Sequence, residues 1–185
     1  MKKFIALCAT ALALAAPGMA QAANYGTDGK YKFQGSIEMI KNLPAWTTCT
    51  LTVEIDVSGG GTIARVLSTP APNPSLSGPS PCSGITFSNQ PYTANALGSP
   101  VSVLTLATVK VNIPPILIFP ADACQGTLTT LWGGNTVTPR TITLQDGVSN
   151  LPDTNPDNIG ATENPCRIKG TLTQISGPTQ LTITP

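Results

Sequence analysis

Four cysteines, Cys49, Cys82, Cys124 and Cys166, are the residues whose chemistry is easiest to read, and their spacing decides which chemistry it is. They lie far apart in sequence, with no close pair of thiolates, so tetrahedral zinc ligation is a poor fit. With Cys8 removed in a signal segment, these four of the five cysteines remain, and an even number in an exported chain points instead to two disulfides. Four cysteines allow three pairings. Cys49 with Cys82 and Cys124 with Cys166 is favoured, because each closes a loop of a few tens of residues, worth about 3 to 4.5 kcal/mol in the chain-entropy account. Spacing alone leaves the other two pairings open.

Nucleophilic catalysis finds little support. The chain has no histidine, which removes His-based triads, His-ligated zinc and His-held haem. A serine would need a lysine or carboxylate base, and neither a Gly-x-Ser-x-Gly elbow nor a Ser-x-x-Lys motif is present. Gly26-Thr27-Asp28-Gly29-Lys30 lacks the spacing and the following hydroxyl of a phosphate loop, so it reads as a turn before a strand. Paired carboxylates of a glycosidase would have to come from acids that sit mostly on polar strand faces. The chain is not expected to be an enzyme, and an exported hydrolase ranks behind every other reading.

The polar segment from Gln145 to Pro165 carries Asp153, Asn155 and Asp157 at alternate positions, a spacing that can converge oxygens on calcium. The match then degrades, because Asn158 stands where a turn glycine is wanted and Gly160 comes late. A turn-rich loop held by side-chain to backbone hydrogen bonds is the simpler reading. No other cofactor is expected. A second segment, Ile116, Leu117, Ile118 and Phe119, is fenced by Pro114, Pro115 and Pro120, which prevent regular pairing. It reads first as core filling and second as a surface for hydrocarbon, membrane or a partner chain. Trp46 and Trp132 divide the same way, with core anchoring ahead of a binding platform.

The elements that must position these residues are strands. Tyr31, Phe33, Gly35, Ile37 and Met39 share one face, with Lys30, Lys32, Gln34, Ser36 and Glu38 on the other. Cys49, Leu51, Val53, Ile55 and Val57 repeat the pattern up to a turn at Ser58-Gly59-Gly60-Gly61, and 62–68 returns as a hairpin partner. Pro70, Pro72, Pro74, Pro79 and Pro81 mark a surface crossing. Further strands are expected at 84–87, 92–96, 101–113 (with Val103, Val109, Val111 and Ile113 in alternation), 127–132, 136–144, 166–175 and 180–184. Nine or ten strands without a convincing helix predict an all-β, single-domain antiparallel sandwich with two disulfides, with a closed barrel as the runner-up.

Composition bounds the partners. Of 185 residues only 10% are charged, the formal net charge is +1, and 41% are apolar despite 17 glycines and 18 prolines. That excludes collagen and simple disorder, and without a basic cluster there is no expected nucleic-acid partner. Lys2 and Lys3, the apolar run Phe4–Ala16 and the small-residue site Ala20-Gln21-Ala22 read as a secretory signal cleaved after residue 22, leaving 23–185 as the domain. The run is too short to span a membrane, and Cys8 is too early for a lipoprotein site. The expected location is periplasmic or extracellular.

The residues of the C-terminal half carry a resemblance: Val109-Lys110-Val111-Asn112-Ile113, Cys124-Gln125-Gly126-Thr127-Leu128, Trp132, Ile142-Thr143-Leu144, Pro165-Cys166-Arg167-Ile168-Lys169-Gly170-Thr171-Leu172 and Leu181-Thr182-Ile183. In these the chain resembles the alkane oxidation activator family that includes PraB. Cys82, Ile85-Thr86-Phe87 and Pro91-Tyr92 match it more loosely. The resemblance implies an exported accessory protein, linked to hydrocarbon utilisation and to surface, matrix or biofilm behaviour, and it brings no catalytic residue. The competing reading is a structural subunit of an extracellular fibre, self-associating by donation of a strand such as Ala23–Ile40.

Overall fold

The computed structural model describes residues 22–41, 46–115, 120–154 and 164–185. Period-two patterning produces the strands expected of it: β1 (Gly29–Ile40), β2 (Thr47–Ser58), β3 (Ile63–Val66), β4 (Ser75–Ser77), β5 (Thr86–Ser88), β6 (Tyr92–Leu97), β7 (Val103–Ile113), β8 (Asp122–Trp132), β9 (Thr141–Leu144) and β10 (Arg167–Ser176). Every pairing is antiparallel. Neighbours in the wall run β1-β2-β3-β6-β7-β8-β9-β10 and back to β1, so eight strands close on themselves.

The fold is therefore all-β with two disulfides, and the barrel, not the two-layer sandwich, is the arrangement. The physical reason lies in β1, which pairs with β2 along one edge and with β10 along the other. Two glycines permit that second pairing. A Cβ on Gly35 would lie 2.0 Å from the Thr171 carbonyl oxygen, and one on Gly170, at φ +146°, would lie 2.6 Å from that of Ser36. Only glycine lets the two strands approach so closely where the wall bends.

The barrel has two different ends. At one, the segment expected as a strand at 180–184 is an extended plug, bridged at Thr184 to Asn24 ahead of the first strand. Leu181 and Ile183 are buried there, and side chains satisfy the plug's backbone. Gln174 Oε1 accepts from Leu181 N at 2.8 Å, Asn135 Oδ1 accepts from Ile183 N at 2.9 Å, and Arg140 Nε donates to Leu181 O at 2.8 Å. The strand expected over 136–144 shrinks to β9 because this cap uses the preceding residues. At the other end lie both disulfides, Cys49–Cys82 and Cys124–Cys166. The proline-rich crossing contributes only the three-residue β4 on the edge of β2, anchored by Asn73, whose amide exchanges hydrogen bonds with Glu54 N and O.

Tyr25 and Tyr92 are buried against the interior, their hydroxyls donating to the carbonyls of Ala94 and of Ser88. Burial pushes both phenols above the ordinary tyrosine range, and the hydrogen bonds to backbone carbonyls only partly offset it. A folded pKa raised above the unfolded one gives stability that is complete below the unfolded value, near pH 10, and is lost as pH rises through the folded value. Alkaline titration should therefore show late phenolate absorbance coupled to unfolding. Tyr25→Phe and Tyr92→Phe should each remove part of the late signal, and ionisation of every phenol near pH 10 in a still-folded protein would contradict this.

Candidate functional site: an apolar lumen

The interior is built by alternate residues of every wall strand, but β7 changes phase to achieve it. Leu106 faces Leu128 and Val109 faces Gly126, so one extra residue is accommodated between them, with Thr108 at φ +57°. This bulge turns Val109, Val111 and Ile113 inward along with Leu104, although simple alternation puts the odd and even positions on opposite faces. The expectation of one unbroken alternation from Val103 thus missed Leu104 and Leu106. The switch of apolar residues from even to odd positions around Ala107-Thr108 was the available signal.

The resulting lumen holds a cavity of about 60 Å³, with Leu51, Tyr92, Leu104, Leu128, Thr130 and Leu172 in its lining. A second void of about 40 Å³ continues toward the disulfide end, and Leu51, Phe87, Val109 and Leu128 line both. A third, of about 20 Å³, shares Met39 and Cys166 with the second. The hydroxyls in the main cavity are already engaged. Thr130 Oγ1 donates to Leu104 O at 3.1 Å, and the Tyr92 hydroxyl donates to Ser88 O. A lumen lined almost wholly by apolar side chains, its two hydroxyl donors already spent on backbone carbonyls, holds water poorly and suits an apolar guest.

Outside, the wall is polar. Thr141 pairs with Thr173 and Thr143 with Thr171, the latter hydroxyls 3.2 Å apart, while Gln34 Nε2 donates to Thr52 Oγ1 at 2.9 Å. A transmembrane barrel carries its apolar band outside and polar residues inside; this wall is the reverse. No helix among the described residues is long and apolar enough to cross a membrane.

The residues singled out by type fall in different places. Trp132 is in the core, edge-on to Phe33 with ring centroids 6.5 Å apart. Trp46 is half-buried on the outer surface beneath two cations, Lys169 Nζ at 4.5 Å and Arg167 Cζ at 5.1 Å from its ring. Lys169 pairs with Glu38 at 2.6 Å and Arg167 with Asp146. The hydrogen bond from Arg167 holds the Asp146 carboxyl below the usual range, and its charge adds to the effect. Asp28 of the glycine-containing loop accepts the N–H groups of Gly60 and Gly61 at 3.0 and 2.7 Å, a turn clamp and not a phosphate cradle. The side chain of Asp153, offered for calcium, is buried and ion-paired to Lys41, so a cation there competes with an ammonium already in place. Asn155 and Asp157 lie outside the described residues, as do Ile116, Leu117, Ile118 and Phe119. No group of ligating side chains that could hold a metal occurs among the described residues.

The chain folds as a small disulfide-braced antiparallel barrel, polar on its outer wall and apolar within. The family described as alkane oxidation protein activator, PraA/PraB-like, matches residues 1–185, and the chain belongs to it. No curated protein and no solved structure matches it.

Proposed function

We propose that this protein is an exported, noncatalytic accessory of hydrocarbon utilisation that takes an apolar chain into its barrel. The observation that carries the proposal is the lumen, lined by Leu, Val, Ile and Phe with its hydroxyls already hydrogen-bonded. Such a site can bind and shield an alkane but has nothing with which to attack one. Oxidation belongs to a separate enzyme, which this protein would help by supplying substrate. Membership of an activator family supports the same reading. Export is supported by the signal-like residues 1–22 and by two disulfides, which persist in oxidising compartments. Surface activity, adhesion or matrix contact would follow from a protein that works at a hydrocarbon interface. The fibre reading gains nothing from β1, which is hydrogen-bonded along both edges within its own chain.

The test is thermal. A short alkane such as octane, bound only by the folded barrel, should raise the melting temperature, with about 2.7 kcal/mol of stabilisation at a hundredfold excess over its dissociation constant. Leu128→Phe, which intrudes on both voids, should cost about 1 to 3 kcal/mol through overpacking and abolish the octane-dependent shift. An equal shift in wild type and variant would place binding outside the lumen.

A further inference from the structure

The disulfide end of the barrel contains a charged cluster that lumen binding does not use. The side chains of Lys41, Asp122 and Asp153 are only 4%, 5% and 2% exposed. Lys41 Nζ contacts both carboxylates, Asp122 Oδ2 at 3.2 Å and Asp153 Oδ2 directly, and also donates to the Asn164 carbonyl oxygen. One carboxylate suffices to neutralise one ammonium. Burying a second acid beside them adds further desolvation cost, and Asp122 Oδ1 also accepts from Ala123 N at 2.6 Å.

The three residues are held firmly in register. Asp153 bridges Cys124 on β8, Gln125 N donates to Pro152 O at 3.0 Å, and Thr154 N donates to Ala123 O at 3.1 Å. The Cys124–Cys166 disulfide crosses the same spot, and Leu151 pairs with Cys166 in both directions, at 3.0 and 2.9 Å. Asp122 begins β8 and Lys41 directly follows β1. An amine and a carboxylate are thus fixed in contact with a second carboxyl group beside them, in a site from which water is largely excluded. Amide formation needs a neutral amine facing a neutral acid, and direct contact lets one proton transfer produce both.

We propose that Lys41 and Asp153 condense into an intramolecular isopeptide bond, with Asp122 as the catalytic proton shuttle. One proton passes from Nζ to the Asp153 carboxylate. The Nζ lone pair then attacks Cγ and forms the N–C bond. Asp122 takes the proton released from Nζ and delivers it to the departing oxygen; the C–O bond breaks and water leaves. An ammonium and a carboxylate become an amide and one water, and Asp122 ends as it began. No oxidant, reductant or metal is consumed. Fixed contact supplies the effective concentration that makes the condensation competitive with hydrolysis. The bond ties the end of β1 to the strap at 151–154, next to a disulfide but indifferent to thiols.

Mass spectrometry of the purified exported protein, denatured and fully reduced, tests this. The mature chain should be lighter than its sequence by the mass of one water. Trypsin should no longer cleave after Lys41, and a single species should join peptide 33–65 to peptide 141–167. Asp122→Asn keeps both reacting groups and removes the shuttle, so it should restore the full mass and cleavage after Lys41. Lys41→Arg should do the same, and if one variant fails to fold, the wild-type mass still decides. A wild-type chain of full mass would overturn the proposal, as would a water loss mapped to a cyclised aspartate within one peptide. An Asp122→Asn protein that still carries the link would remove Asp122 from the mechanism.

Discussion

Trp132→Ala is expected to cost about 3 to 5 kcal/mol, the usual range for deleting a buried aromatic ring. Trp132 is 5% exposed, ends β8 where the wall meets the C-terminal plug, and packs edge-on against Phe33. Deleting the ring opens a void in the core beside Phe33. Trp132→Phe should cost far less, because the indole Nε1 has no acceptor among the described residues, and removing an orphaned donor recovers part of what the smaller ring loses. Trp46→Ala, on the surface, should change stability by about 1 kcal/mol or less. Urea unfolding of the three variants checks the order. A Trp46 effect as large as that of Trp132 would contradict the placement of the two rings.

Removing the Cys124–Cys166 bridge by a double change to alanine is expected to cost about 4 kcal/mol, the chain-entropy value for a loop of this length. For a domain whose total stability is about 5 to 15 kcal/mol, that is enough to threaten folding. The bridge also fixes Cys124 and Cys166, both paired with the 151–154 strap, so the loss should appear first at the disulfide end. Hydrogen exchange should accelerate at Gln125, Leu151 and Thr154 before it does at the plug residues Leu181 and Ile183. Uniform acceleration along the chain would show that the bridge braces the whole barrel equally.

Much of this was legible in the sequence, for physical reasons. β1 and β2 alternate without interruption, so both their bounds and their inward faces follow from side-chain period alone. The barrel's closure did not follow, because it depends on β1 meeting β10 across most of the chain and on the close approach at Gly35 and Gly170. The lumen was hidden by the bulge at Thr108, since a single inserted residue reverses which side chains face inward. The plug at Leu181 and Ile183 looked like a strand because its apolar residues alternate. Its hydrogen bonds go to Gln174, Asn135 and Arg140 side chains, which no local pattern announces. Lys41, Asp122 and Asp153 lie far apart in sequence and meet only because three chain segments converge at one end of the barrel.

Isotope-filtered NMR on methyl-labelled protein with unlabelled octane shows directly whether the barrel interior receives an apolar chain. Through-space contacts are expected from the alkane to the methyls of Leu51, Val109, Leu128 and Leu172, all lost in Leu128→Phe. Contacts confined to exposed residues such as Leu97 or Ile175, or no contacts at a saturating alkane level, would contradict it.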